Sequence, residues 1–162
     1  MIIRPATIDD APEIATILNE IVEVGGTTAR QTMTTADAQA EMIRTLPDNA
    51  CFYVAQDGAT GAILGFQSLV PYESQPSTIG FIATYAKIGG VQKGVGTTLF
   101  NATRRAAPAL GYTEIDATIR ADNAGGLAYY RKMGFQDHSV AKGVLLDDGT
   151  LVDRISKRLK LT

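Results

Sequence analysis

The sequence predicts a mixed α/β fold, a mixed sheet with helices on its faces. Three observations carry this. Short apolar runs with strand-like alternation recur along the chain, segments with helical spacing interrupt them, and the resulting order is βααβββαβαββ, with seven strands. The chain has 162 residues, 45% hydrophobic and 20% charged, which suits one domain with a real core, expected over residues 1–162. No repeat, linker or low-complexity tract divides it.

Ile2-Ile3-Arg4 reads as a short strand. Thr7 caps the next helix, where Asp9 and Asp10 in the first turn favour the positive end of the dipole. Ile14, Ile17, Leu18 and Ile21 form its apolar face, and Gly25-Gly26 ends it. Polar sequence runs through Thr35, and a second helix spans Ala36 to Leu46, stopped by Pro47. Residues 51–56 and 62–70 are strands separated by Asp57-Gly58-Ala59-Thr60-Gly61, a hairpin signal. Pro71 to Pro76 breaks the pattern. A fourth strand, Ser77 to Ala86, carries Ile79, Phe81, Ala83 and Tyr85 on one face.

Leu99, Phe100, Thr103, Ala107 and Leu110 then recur at helical spacing, and that helix ends at Gly111. Glu114 to Arg120 alternates Ile115, Ala117 and Ile119 against Asp116, Thr118 and Arg120. A short helix, Asn123 to Met133, ends at Gly134. Two strands turning at Asp147-Asp148-Gly149 close the chain.

The net charge of −2 gives no bulk attraction for nucleic acid or an anionic membrane. Cys51 is the single cysteine and lies in an apolar run, so it reads as a small core residue. His138 is the only histidine, which leaves no histidine metal cluster and no nearby Cys–His pair, so no metal is expected. Met1-Ile2-Ile3-Arg4-Pro5 leads directly into polar sequence without a signal peptide or spanning segment, and cytoplasm is the expected location.

The most informative stretch is Val91-Gln92-Lys93-Gly94-Val95-Gly96-Thr97-Thr98-Leu99-Phe100, a glycine loop opening into an amphipathic helix. Gly94 and Gly96 remove side chains where a ligand would approach the backbone. Free N–H groups at the helix start make an anion site, and a phosphate-bearing ligand is the natural candidate. An ordinary strand-to-helix turn is the plain alternative. Leu99 stands where a dinucleotide loop wants a third glycine, and the Lys-Ser/Thr of a P-loop is absent. Lys87, Lys93, Arg104 and Arg105 gather around the loop in sequence and suit a polyphosphate.

This order, with the glycine loop after the fourth strand, resembles the GNAT superfamily of N-acetyltransferases over nearly the whole chain. Two motifs carry the resemblance. The acyl-CoA loop, usually Gln/Arg-x-x-Gly-x-Gly/Ala, reads Val91-Gln92-Lys93-Gly94-Val95-Gly96 here. The second runs from Asn123 through Tyr130-Arg131-Lys132-Met133-Gly134-Phe135. The opening Ile3-Arg4-Pro5-Ala6-Thr7-Ile8-Asp9-Asp10 is also typical, and the general cast resembles the branch that acetylates small amino-acid-like amines, including phosphinothricin-type herbicides.

The resemblance implies a mostly antiparallel sheet whose fourth and fifth strands splay to admit the pantetheine arm of acetyl-CoA, the co-substrate. Thr84, Tyr85 and Ala86 would line the thioester end, one of their N–H groups polarising the acetyl carbonyl. The N–H groups of Gln92, Lys93, Gly94, Val95, Gly96 and Thr97 would hold the pyrophosphate. Asn123 would bond the pantetheine arm, cap its helix, or both, and Lys132 would touch a phosphate or remain a solvated helix position. Tyr130 is the candidate for chemistry, protonating the leaving sulfur or stabilising its thiolate; a plain core tyrosine is the other reading.

Two departures from the pattern stand out. Val91 replaces Gln or Arg at the head of the loop motif, and Ser77 to Ala86 lacks the acid that many relatives carry there as general base. Glu73 is the nearest acid and could act through water, with Glu20 and Glu23 as remoter options and loss of the proton to bulk water as another. The implied activity is direct transfer of acetyl to a small primary amine, an amino acid or analogue first and an amine antibiotic second, with a protein N-terminus or lysine third. The alternatives are a non-catalytic acyl-CoA-binding or sensing module and a plain structural domain. Relatives are often dimers, which leaves a homodimer open, and nothing in the sequence decides the oligomeric state.

Overall fold

The computed structural model describes residues 1–162. Seven strands form one sheet: β1 (Ile2–Pro5), β2 (Cys51–Gln56), β3 (Ile63–Pro71), β4 (Ile79–Ala86), β5 (Glu114–Arg120), β6 (Gln136–Leu145) and β7 (Leu151–Lys160). Their spatial order is β1-β2-β3-β4-β5-β7-β6. Every neighbouring pair is antiparallel except β4 and β5, which run parallel. Four helices flank the sheet: α1 (Ala11–Val24), α2 (Ala36–Arg44), α3 (Val95–Ala106) and α4 (Ala124–Lys132). The expected order of strands and helices is the observed one. No helix is long and apolar enough to cross a membrane.

Alternation along the strands sends side chains to two apolar layers. On one face Ile14, Ile17, Leu18 and Ile21 of α1 pack on Phe52, Val54, Ile63 and Phe66, with the Phe52 and Phe66 rings stacked at 5.7 Å. On the other, Phe100 of α3 and Tyr130 of α4 join Met133 and Phe135 over Leu69, Ile82, Ile115, Ala117 and Ile119. Cys51 is partly buried against this second layer, and burial pushes its thiol up to about 11, as suits a packing residue.

Several boundaries move for local reasons. Ile8–Asp10 is a 3-10 turn, and α1 begins only at Ala11. The second helix stops at Arg44, not Leu46, because Thr45 has left helical geometry as its C-cap. The helix expected to reach Gly111 is α-helical only to Ala106 and finishes as a 3-10 turn over Ala107–Leu110. Pro108 explains this, since it has no N–H for the α-ladder and its ring crowds the carbonyl four residues back. The fourth strand starts at Ile79 instead of Ser77, because the Thr78 carbonyl instead receives the N–H groups of Thr113 and Glu114, at 2.8 and 3.2 Å.

One pairing positions everything that follows. β4 and β5 are joined only at Ile79↔Glu114, Gly80↔Ile115 and Phe81↔Asp116. Beyond Phe81 they part. β4 continues against β3 as far as Ala86, and β5 continues against β7 as far as Arg120.

The N-terminal strand is tied to α1 by a clamp. Arg4 donates from Nη1 and Nη2 to the two Asp10 carboxylate oxygens, each at 2.8 Å, and Asp10 also accepts the Thr7 N–H at 2.8 Å. The Arg4 guanidinium holds the Asp10 carboxyl below its usual pKa. A carboxyl with a depressed folded pKa contributes stability above its unfolded pKa and loses it as pH falls. Asp10→Asn is therefore expected to destabilise the protein by about 1–3 kcal/mol near neutral pH. Thermal melts should show the deficit shrinking as pH falls below about 4, where the unfolded carboxyl takes up its proton, and closing only once the native carboxyl, which titrates lower, is protonated as well.

Candidate active site

The parting of β4 and β5 opens a cavity of about 690 Å³. Thr84, Tyr85 and Ala86 of β4 form one wall and Thr118, Ile119 and Arg120 of β5 the other. Tyr129, Tyr130, Gly125 and Gly126 of α4 close one side, while Ile21, Val24 and the segment from Thr27 to Arg30 close the opposite side.

Tyr130 is 7% exposed, wedged edge-on against Phe135 at 5.1 Å and Tyr129 at 4.8 Å. Its hydroxyl lies 2.8 Å from the Thr84 hydroxyl. Thr84 also accepts from Gln67 Nε2 at 2.8 Å, across the β3–β4 ladder in which Gln67 and Thr84 are partners. Gln67 is fully buried; its amide also donates to Tyr129 Oη at 3.3 Å, and its Oε1 has no partner. Burial pushes the Tyr130 phenol well above its ordinary pKa, and raises that of Tyr129 too. Tyr130 therefore keeps its proton throughout the physiological range.

The glycine loop adjoins this cleft through Ala86, which lines both the cavity and a groove with Lys87, Gln92, Gly94 and Gly96. None of the N–H groups from Gln92 to Thr97 has an acceptor within the protein; the first α3 bond is Thr98 N–H to Gly94 O at 2.9 Å. These donors, at the positive end of a twelve-residue helix, suit the phosphates of a coenzyme. Gly94 is the N-cap at φ +81°, where a side chain would be strained. Gly96 is small for another reason than the one expected. A Cβ there would stand 2.8 Å from Tyr129 Cε2, so the room it leaves is filled by a tyrosine ring rather than by a ligand. Tyr129 donates its hydroxyl to the Gly96 carbonyl at 2.8 Å, fastening the start of α3 to α4.

Asn123 lines the cavity and uses both ends of its amide inside the protein. Its Oδ1 accepts the Gly126 N–H at 2.9 Å as the α4 cap, and its Nδ2 donates to the Thr27 carbonyl at 3.0 Å.

Other expected participants stand apart. Glu73 is exposed, in the turn before β4, and does not line the cavity. Its end of β4 is Gly80, paired with Pro71, about 13 Å along the strand from Thr84. Glu20 lines a separate small groove with Glu13, and Glu23 is exposed outside the cavity. Lys132 is exposed in the last turn of α4, away from the loop groove. Arg104 and Arg105 do not gather at the loop: they occupy the last turn of α3, about 15 Å from its start. Of the four basic residues, only Lys87 lines the loop groove.

The structure also brings in residues that sequence reading passed over: Gln67, Tyr129, and the arginines Arg30, Arg120 and Arg154 on the cavity wall. Gln67 had a usable signal, a long amide within the apolar run of β3. The arginines had none before the strand register was known.

Comparison with known proteins bears on the family and the fold. The family model described as Acetyltransferase (GNAT) domain matches residues 1–136. No curated protein gives a significant match. The ribosomal-protein-alanine N-acetyltransferase of Brucella melitensis superposes with a TM-score of 0.87 at 24% identity, covering 99% of this chain and 100% of that one. The phosphinothricin acetyltransferase of Sinorhizobium meliloti, solved with acetyl-CoA, gives 0.87 at 23% identity, covering 99% and 88%. The Salmonella typhimurium protein yncA, solved with its cofactor acetyl-CoA, gives 0.89 at 20% identity, covering 100% and 94%. At these identities the likeness shows a shared fold.

Gly96→Ala tests the packing argument. The added methyl must displace the Tyr129 ring and is expected to cost about 1–3 kcal/mol in a denaturant melt. An unchanged midpoint would show that the ring does not depend on this glycine.

Proposed function

Because the chain belongs to the GNAT acetyltransferase family, we propose that it transfers an acetyl group from acetyl-CoA to the primary amine of a small molecule, an amino acid or analogue or an amine antibiotic, by direct attack. The observation that carries the reading is the 2.8 Å contact of the Tyr130 and Thr84 hydroxyls, in a cleft that adjoins a row of free amides. Bound acetyl-CoA supplies the acyl thioester. The amides from Gln92 to Thr97 hold its diphosphate, and the edge of β4 beyond Phe81, with no strand beside it, offers backbone groups to an extended amide chain. An N–H within Thr84, Tyr85 and Ala86 polarises the acetyl carbonyl, the kind of aimed donor that supplies a few kcal/mol in acyl transfer.

Tyr130 is protonated when the sulfur begins to leave, since burial raises its phenol above the ordinary value. It acts on that sulfur by protonating it or by donating a hydrogen bond to the thiolate. The Thr84 hydroxyl has one proton and already accepts from Gln67. When Thr84 gives that proton to the Tyr130 oxygen, the phenol proton is left pointing into the cleft. Gln67 and Thr84 thus act as positioning residues.

The amine loses its proton to water in this account, since no carboxylate side chain lines the cavity. The same lack of a carboxylate is what favours the second reading, a non-catalytic acyl-CoA-binding module. Release of free thiol from acetyl-CoA across a panel of amines separates the two.

Tyr130→Phe is expected to lower kcat by about ten- to a hundredfold, the worth of one hydrogen bond to a charged atom, with acetyl-CoA affinity within about twofold of wild type. Thr84→Val should lose less, and adding it to Tyr130→Phe should cost little more, because both act through one proton. Equal turnover of Tyr130→Phe and wild type would remove the phenol from the chemistry.

A further inference from the structure

The cavity has a charge pattern that the transfer reaction alone does not require. Arg30, Arg120 and Arg154 line it, and no aspartate or glutamate does. Two of the three arginines are engaged. Arg120 places Nε and Nη2 on the Asp122 carboxylate at 2.9 and 2.8 Å, and Nη1 on the Thr28 carbonyl at 3.2 Å. Arg30 is exposed at the mouth and donates from Nε to the Thr32 carbonyl at 3.0 Å. Arg154 has no partner. Its Nε is buried without an acceptor, and no carboxylate stands within ion-pair distance of its guanidinium.

The placement makes this lack costly. Arg154 of β7 lies directly opposite Arg120 of β5 in the antiparallel ladder, and like charges so placed repel. Asp122 compensates Arg120 alone. Asp153, next along β7, points to the opposite face of the sheet and is held by Lys142 at 3.3 Å and the Gly143 N–H at 2.9 Å. On the other side of Arg154 in the sheet is Ala141, which carries no charge. A partly buried guanidinium in this position is satisfied by an oxyanion that arrives from the cavity.

We propose that Arg154 reads an acid group on the acceptor, so that the substrate is a small amine bearing a compact oxyanion such as a carboxylate. This rests on the acetyltransferase reading and narrows it. The amine meets the thioester beside Thr84 and Tyr130, while the acid group meets Arg154 in the same cavity. Polycationic amine antibiotics, the other class considered, are repelled by Arg30 and Arg154, which no carboxylate offsets.

The test measures thiol release from acetyl-CoA with free amino acids of several chain lengths, each paired with its carboxamide, on wild type, Arg154→Gln and Arg154→Lys. Wild type is expected to prefer the free acids by about tenfold or more in kcat/KM. Arg154→Gln should erase that preference by raising the KM of the acids, with the KM of acetyl-CoA and the transfer to carboxamides held within about twofold. Arg154→Lys should keep part of the preference. Continued carboxamide transfer shows that the variants are folded. Absence of acid preference in wild type, or its survival in Arg154→Gln, overturns the inference and leaves the acetyltransferase reading standing. A raised KM for acetyl-CoA instead of the acceptor overturns it too, by assigning Arg154 to a coenzyme phosphate. Failure to release thiol with any amine overturns both.

Discussion

The short parallel contact between β4 and β5 governs the rest of this structure. Three residue pairs hold the strands together, and after Phe81 each turns to its other neighbour. Backbone groups on such an edge need polar company, from water or from a ligand, because an unpaired buried amide is costly. An extended chain of amides is a natural occupant. The walls of the cleft then follow from alternation: Thr84 faces α4 and its tyrosines, while Arg120 and Arg154 face the side on which α1 packs.

The cleft and the glycine loop are mechanically joined. Tyr129 bonds to the Gly96 carbonyl, receives Gln67 and packs against Tyr130, so one side chain ties the start of α3 to the wall that carries Tyr130. Gln67 in turn serves Thr84. On the other side, the segment after α1 is pinned by Thr27 to Asn123, by Thr28 to Arg120 and by Gln31 to the Asp148 N–H at 2.9 Å. Both sides of the cavity are therefore held by side-chain hydrogen bonds that bridge distant parts of the chain.

Local periodicity made the fold legible. The seven strands, the four helices and the loop at Gly94 all leave signals within a dozen residues of themselves, and the family motifs at 91–96 and 123–135 added the cleft and Tyr130. What escaped reading depends on partners far along the chain. Gly96 looked like a gap for a ligand, whereas Tyr129, thirty-three residues away, fills it. Arg104 and Arg105 looked close to the loop in sequence, but a helix carries them to its far end. Glu73 was nearest to β4 by number and sits at the end of that strand remote from Thr84. Arg120 and Arg154 became a pair only once β5 and β7 were in register.

The central claim is that free amides at the start of α3 station a thioester beside Tyr130. A crystal structure of the protein with acetyl-CoA tests it most directly. The account predicts diphosphate oxygens at hydrogen-bond distance, about 2.7–3.2 Å, from amides between Gln92 and Thr97, with the sulfur next to the Tyr130 hydroxyl. Coenzyme bound elsewhere, or bound at the loop with its sulfur turned away from Tyr130, would contradict it.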